Sequence, residues 1–174
     1  MTTFLNKQEI NETELEFLKH SNWIEAEHSH KALEDAHIAW EYLKKQEDFT
    51  LRNILITHML IMRRLNNKIA GKIRSCDVWV GGKKKIFTSQ KLIEDDLKHL
   101  FDCMEASVNA HLSSKTAEDV TKHFHIEFEH IHPFTDGNGR IGRLILNKHR
   151  QSLGLPILII HQGKEQYEYY KWFK

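Results

Sequence analysis

Apolar residues recur along most of this chain at intervals of three and four, the spacing of one α-helical face. From about Asn11 to Lys19, Leu15, Phe17 and Leu18 anchor a first helix. Ser21-Asn22 then predicts a stop and a cap, with a short helical turn over Trp23–Glu27. His30 to Gln46 reads as a longer helix through Leu33, Ala36, His37, Trp40 and Leu43. Asp48 is a cap for the next, in which Leu51, Ile54, Leu55, His58, Met59, Met62 and Leu65 keep the helical repeat towards a stop near Gly71. On that stripe His58 reads as a satisfied core histidine.

The period then changes. Asp77-Val78-Trp79-Val80, Gly81-Gly82 and Lys83–Thr88 read as β-favouring runs around a Gly-Gly turn, a hairpin signal. An isolated hairpin is not independently stable, so it must lie against the helices, with an edge free to pair with another extended chain. Helical spacing resumes at Ser89 or Gln90, with Leu92, Ile93, Leu97, Leu100, Phe101 and Met104 inward. Thr116 with Asp119 resembles a capping box for a helix to about Ile131. A further helix spans about Gly139 to Leu153, closed by Gly154; Pro156 keeps the chain extended afterwards, and the apolar run Leu155–Ile160 reads as either a buried connection or the start of another helix. Lys164 to Trp172 predicts a last helix, with Tyr167, Tyr170 and Phe173 packing back. The sum is an all-α bundle with one small β-hairpin.

Composition narrows the class. The length, 174 residues, suits one domain, and 40% hydrophobic with 28% charged residues suits a soluble globular chain. A net charge of +1 gives no bulk field for nucleic acid or anionic membrane, and no helix-turn-helix module can be spared. No apolar run approaches the ~20 residues of a membrane span. Cys76 and Cys103 fit no C-x-x-C or zinc spacing, and Met1–Leu5 lacks a basic-then-apolar leader, so reduced thiols and a cytoplasmic location are expected. His123, His125, His130 and His132 contain no pair at i, i+4 and no cysteine or further carboxylate to complete a zinc set.

The chemistry is concentrated in His132-Pro133-Phe134-Thr135-Asp136-Gly137-Asn138-Gly139-Arg140-Ile141-Gly142-Arg143. Glycines on both sides of Asn138 allow a turn whose N–H groups converge on an anion, and the helix that follows adds unpaired donors and a partial positive charge. His132 can take a proton from a hydroxyl. Asp136 is a hard oxygen ligand suited to Mg²⁺. The Asn138 amide and the Arg140 and Arg143 guanidiniums, on one helix face, can bind phosphate oxygens. Phe134 plugs into the core and fixes the loop. Together these are the parts of phosphoryl or nucleotidyl transfer.

At these residues the sequence resembles the Fic family, whose core motif is H-x-F-x-[D/E]-G-N-G-R-x-x-R. His132, Phe134, Asp136, Gly137, Asn138, Gly139, Arg140 and Arg143 match every fixed position. The likeness reaches from about Ser21 to the C-terminus. It implies a Fic-fold helical bundle that transfers AMP from ATP to a Ser, Thr or Tyr hydroxyl of a target protein and releases pyrophosphate. In that reading His132 is the base and Asp136 holds Mg²⁺. Gly137, Asn138, Gly139 and Arg140 bind the α and β phosphates, and Arg143 binds the γ phosphate. Val78, Trp79, Val80, Gly81 and Gly82 form a flap that docks the target by strand addition. Doc-like kinases lack the full Gly-Asn-Gly-Arg pattern, so AMP transfer is preferred to phosphorylation.

Family members often carry an inhibitory helix with the pattern [S/T]-x-x-x-E-[G/N]. Ser21 and Glu25 fit it, and Ala26 departs from it. A carboxylate reaching Arg143 would compete with the γ phosphate. The resemblance therefore implies an inhibitory region over residues 1–28 and a catalytic core over 29–174 within one globular unit. The expected partners are ATP and a target protein, with neither nucleic acid nor membrane; self-modification and oligomerisation stay open. Two other readings stand beside this one: removal of AMP from modified targets at the same site, and a catalytically silent nucleotide-binding module.

Overall fold

The computed structural model describes residues 11–80, 83–84 and 88–173. The helices are α1 (Glu12–Ile24), α2 (His30–Lys44), α3 (Leu51–Met62), α4 (Ile93–Val108), α5 (Ser114–Ile131), α6 (Asn138–Ser152) and α7 (Lys164–Tyr170), closed by a 3-10 turn at Lys171–Phe173. Four start on a side-chain cap, from Asn11, Ser29, Thr50 and Ser113, whose oxygens accept a first-turn N–H. Two of these correct the sequence reading. Thr50, not Asp48, caps α3, and Ser113 caps α5, so Thr116 lies inside the helix with its N–H on Ser113 Oγ.

The α6 helix is the axle. It packs against α1, α2, α3, α4 and α5 and is buried along most of its length, although it carries Arg, Asn, Lys and His. Such a helix is stable only where each polar side chain finds a partner. The Asn147 amide pairs with both backbone groups of Leu158, Arg150 donates to the Pro156 carbonyl, Lys148 to the Gln46 carbonyl, and His149 Nε2 meets Ser107 Oγ at 2.8 Å. The Asn147 and Arg150 bonds bring the extended segment after Gly154 back along α6. Around the axle runs one apolar core that includes Phe17 and Leu18 of α1, Trp40, Ile54, Leu97, Phe101, Phe128, Phe134 and Ile141. Truncating the fully buried Trp40 or Phe128 to alanine would cost roughly 3–5 kcal/mol.

Several apolar positions face outwards instead. Met59 is exposed within α3, and Leu65 and Leu92 are exposed outside the helices, since α3 ends at Met62 rather than near Gly71 and α4 begins at Ile93. In α7 the buried tyrosine is Tyr169, while Tyr167 and Tyr170 are exposed. The expected hairpin is represented, among the described residues, by an antiparallel pairing of two residues a side, β1 (Trp79–Val80) with β2 (Lys83–Lys84). Gly81 and Gly82, expected at its tip, lie outside the described residues, as do residues 85–87. No described helix is long and apolar enough to cross a membrane.

Candidate active site

The loop between α5 and α6 starts from a strained residue. His132 is left-handed, with φ 48° and ψ 61°, and its N–H donates to the Phe128 carbonyl at 3.0 Å. Such backbone is costly for a residue with a Cβ and persists where its surroundings over-determine it. Its Nδ1 lies 3.2 Å from the Glu129 carbonyl, and the Glu129 carboxylate is 3.9 Å away. A carbonyl only accepts, so in the neutral ring Nδ1 carries the proton and Nε2 keeps the lone pair. The tautomer is thus the one that leaves Nε2 as a base.

Three side chains hold the loop. Phe134 is fully buried and stacks on His58 at 3.8 Å with an interplanar angle of 3°. Asn138 grips the Phe134 backbone at both ends: its Oδ1 accepts from Phe134 N–H at 2.9 Å and its Nδ2 donates to the Phe134 carbonyl at 2.8 Å. That amide is therefore engaged in closing the loop, with one N–H and one oxygen lone pair spent on Phe134. His58 Nδ1 accepts from Gly71 N–H at 2.9 Å, so its Nε2–H donates to the Asp136 carbonyl, also at 2.9 Å. Burial pulls the His58 pKa down to about 4 and keeps the ring neutral. It is the core histidine expected from the sequence, and it is also a brace for the loop.

A further brace had no signal in the sequence. Arg74 is buried, and its guanidinium donates to the carbonyls of His132 (2.7 Å), Cys76 (3.2 Å), Ile131 (3.4 Å) and Thr88. Its backbone N–H donates to the Pro133 carbonyl at 2.9 Å. Cys76 and Thr88 flank the β1–β2 pairing, so one cation ties both feet of that segment to the loop carrying His132. Burial lowers the Arg74 pKa from its ordinary value. Val78, at the foot, is itself buried.

At the entrance to α6, Gly137 adopts φ 86° as the N-cap. A Cβ there would stand 3.1 Å from Met62 Sδ and 3.2 Å from His58 Nε2, so the position excludes larger residues by conformation and by space. The first turn of α6 leaves its N–H groups without intrahelical acceptors. Asp136 Oδ1 accepts from Gly137 N–H at 2.6 Å and lies 3.5 Å from Arg140 Nη2; the side chain is 63% exposed. A solvent-facing hard oxygen with open approach fits Mg²⁺, which keeps most of its waters. Arg140 is buried, and its Nε has no hydrogen-bond partner among the described residues.

Arg143 is buried one turn further on and is held by α1. Its Nε donates to Ser21 Oγ at 3.0 Å, and its Nη2 donates to the Ser21 carbonyl at 2.9 Å and to Glu25 Oε1 at 2.7 Å. The Tyr169 ring lies beneath the guanidinium at 5.9 Å. Burial alone would lower the Arg143 pKa; the Tyr169 phenol and the Glu25 carboxylate outweigh it and hold it above the usual arginine range. The carboxylate also lies against the start of α6, since a Cβ on Gly139 would collide with Glu25 Oε1. Behind Tyr169, buried His125 meets the phenol oxygen through Nε2 at 2.9 Å and the Gly142 carbonyl through Nδ1 at 3.1 Å. Burial, then the Arg143 charge, lowers the His125 pKa to about 3, so the ring is a neutral spacer.

These contacts explain why Ser21-Asn22 is no helix break. The α1 helix runs through both, because Ser21 gives its hydroxyl and carbonyl to Arg143. The helix ends instead at Glu25, and Ala26 takes the left-handed conformation, φ 56°. Glu27 N–H reaches the Asn22 carbonyl and Ala26 N–H the Trp23 carbonyl, the paired bonds of a Schellman cap. That cap asks for glycine or asparagine at the left-handed position. Ala26 supplies neither, yet the geometry that aims Glu25 is kept.

The Fic/DOC family model matches residues 48–149. The protein adenylyltransferase Fic of Drosophila virilis is 31% identical over 133 residues, and that of Aedes aegypti 30% over 132. Each match covers 76% of this chain but only about a quarter of the relative, 26% and 25%. Among solved structures, a Fic-domain-containing signaling protein from Bacteroides thetaiotaomicron superposes with a TM-score of 0.76 at 21% identity, covering 92% of this chain and 70% of that one. Fic-1 from C. elegans gives 0.75 at 21% identity, covering 93% of this chain and 55% of that one. With its motif complete, its helices in the same arrangement and more than half its length matched, this chain belongs to the Fic/DOC family.

Proposed function

We propose that this chain transfers AMP from ATP to a hydroxyl of a target protein and that Glu25 restrains it. The relatives are named protein adenylyltransferases, and the residues needed are present in this chain. The target hydroxyl oxygen attacks the α phosphorus of ATP and gives its proton to His132 Nε2; the new O–P bond replaces the bond to pyrophosphate, which leaves. Glu129 holds His132 in the tautomer that can accept that proton. The first-turn N–H groups of α6, Gly137 and Gly139 among them, with Arg140, cradle the α and β phosphates, and Arg143 binds the γ phosphate. Asp136 would hold Mg²⁺, which when bound neutralises phosphate charge. Val78–Gly82 would receive the target as an added strand.

Glu25 carries the reading. The chain's own carboxylate is bonded to Arg143 at 2.7 Å and lies beside Gly139, on a helix N-terminus suited to anions. An anion tethered there stands in for a phosphate and competes with it, which makes residues 1–28 a brake on the core at 29–174. Incubating the Glu25→Gly variant with ATP labelled at the α or the γ phosphate tests the reaction. Label retained on protein only from the α position, and lost in Glu25→Gly/His132→Ala, supports AMP transfer. Retention only from the γ position would make the chain a kinase, and retention from neither a silent nucleotide-binding module.

Glu25 is 36% exposed, so water can reach the same carboxylate. This favours, as a second reading, hydrolytic removal of AMP with Glu25 positioning the water. Mixing self-modified Glu25→Gly protein with unlabelled wild type would then release AMP, and stable label would exclude it.

A further inference from the structure

A second set of ligand-type side chains lies on the α1 surface. Glu16 and His20, one turn apart on α1, meet His161 from the segment before α7; one ligand atom from each lies within 4.8 Å of the others. His161 Nε2 is 3.1 Å from Glu16 Oε1. Zinc bonds of about 2.1 Å in a tetrahedron set neighbouring ligand atoms roughly 3.4 Å apart. The cluster therefore needs only small side-chain adjustments to close on such an ion.

The supporting contacts are those of a metal histidine. His161 Nδ1 lies 2.7 Å from Glu165 Oε2, which also accepts the His161 backbone N–H at 3.0 Å. A carboxylate on Nδ1 orients the ring and leaves Nε2 for a metal. The His20 ring packs against His161 at 4.5 Å, and its Nδ1 is buried with no hydrogen-bond partner among the described residues. Burial, and next the neighbouring His161, lower the His20 pKa, favouring the neutral form that binds metals. Hydrogen bonds to Glu165 and Glu16 raise the His161 pKa. A divalent cation in the cluster would take one nitrogen from each imidazole and one oxygen from Glu16.

We propose that Glu16, His20 and His161 bind a first-row divalent cation of the zinc type, with Glu165 orienting His161 and water completing the coordination. Such an ion would join α1 to the segment leading into α7. Gln162 already links them, donating to the Trp23 carbonyl at 2.7 Å. Because α1 also carries Ser21 and Glu25, the ion would fasten the helix that holds Arg143. This consequence rests on the reading of Glu25 as a brake; the site itself does not.

Titrating zinc chloride into the full chain at neutral pH, with calorimetry, tests the site. Wild type should show a single site, weakened at least tenfold by His20→Ala or His161→Ala and about 10–100-fold by Glu165→Gln. The double variant His123→Ala/His130→Ala, altering two exposed histidines elsewhere, should bind as wild type. Cobalt should give visible absorption of a low-symmetry site in wild type and not in His161→Ala. His161 is partly exposed, and an unchanged helical circular dichroism spectrum shows that this variant is folded. Equal zinc affinity in wild type and His161→Ala, or an equal loss in the control variant, would overturn the proposal. Zinc should also slow AMP transfer by wild type and not by Glu25→Gly; zinc binding without that difference would remove the link to the brake and leave the site.

Discussion

Replacing Ala26 by glycine should make the protein more stable and less active. Ala26 sits at φ 56°, where a Cβ crowds the following carbonyl. The left-handed conformation costs an L-residue roughly 1–2 kcal/mol. Glycine removes that strain but loses about 0.5–1 kcal/mol more backbone entropy on folding. The net gain is about 0.5–1 kcal/mol, a shift of roughly 1–4 °C in the unfolding midpoint of a chain this size. The same residue fixes the Schellman cap that ends α1 at Glu25, so relief of strain favours the state in which Glu25 holds Arg143. Basal AMP transfer should then fall by about two- to fivefold. Differential scanning fluorimetry and incorporation of α-labelled ATP measure the two effects, and Ala26→Asn should move both in the same direction. A lower midpoint, or a higher midpoint with faster transfer, would refute the coupling of that cap to the brake.

Other substitutions separate the remaining roles. Arg74→Lys keeps the charge but not four carbonyl contacts, so the transfer rate should fall roughly 10–100-fold while ATP affinity, measured by calorimetry, holds within about twofold. Asn138→Ala leaves the buried Phe134 N–H and carbonyl unpaired and should cost about 2–5 kcal/mol in urea unfolding. Acid should destabilise the fold. His58, His149 and His125 have folded pKa values depressed by burial to about 4, 4 and 3, so between those values and about 6.5 the unfolded chain binds more protons. Stability is therefore fully present above about pH 6.5 and is lost as pH falls, and urea midpoints should show a shallower slope for His149→Gln than for wild type.

The loop from His132 to Arg143 was legible because its chemistry is local: base, carboxylate, glycines and arginines are adjacent in the chain. Glu25 was legible through a short pattern, and the structure adds why the residue after it matters. Helix ends were less legible. Ser21-Asn22 looks like a break by local propensity, but a tertiary bond from Arg143 keeps Ser21 in the helix. Asp48 and Thr116 were plausible caps that lost to Thr50 and Ser113 a few residues away. Arg74 gave no signal, since its four acceptors are backbone carbonyls whose identity no sequence pattern encodes. Tyr169 was hidden among neighbouring aromatic residues in a helix of only seven residues, too short for periodicity to choose between them. Asn138 reads from the sequence as a phosphate ligand by residue type, and its amide's grip on the Phe134 backbone, four residues back, was not legible there.

The rate of AMP incorporation from α-labelled ATP, compared between wild type and Glu25→Gly across ATP concentrations, tests the central claim most directly. A charge-assisted hydrogen bond contributes about 1.5–3 kcal/mol, and discounting for the partly exposed carboxylate leaves about 1–2 kcal/mol. The variant should therefore reach a given rate at roughly 5–30-fold lower ATP, with the label lost when His132 is also replaced by alanine. Equal rates in wild type and variant, with the His132→Ala control inactive, would contradict the restraint of Arg143 by Glu25.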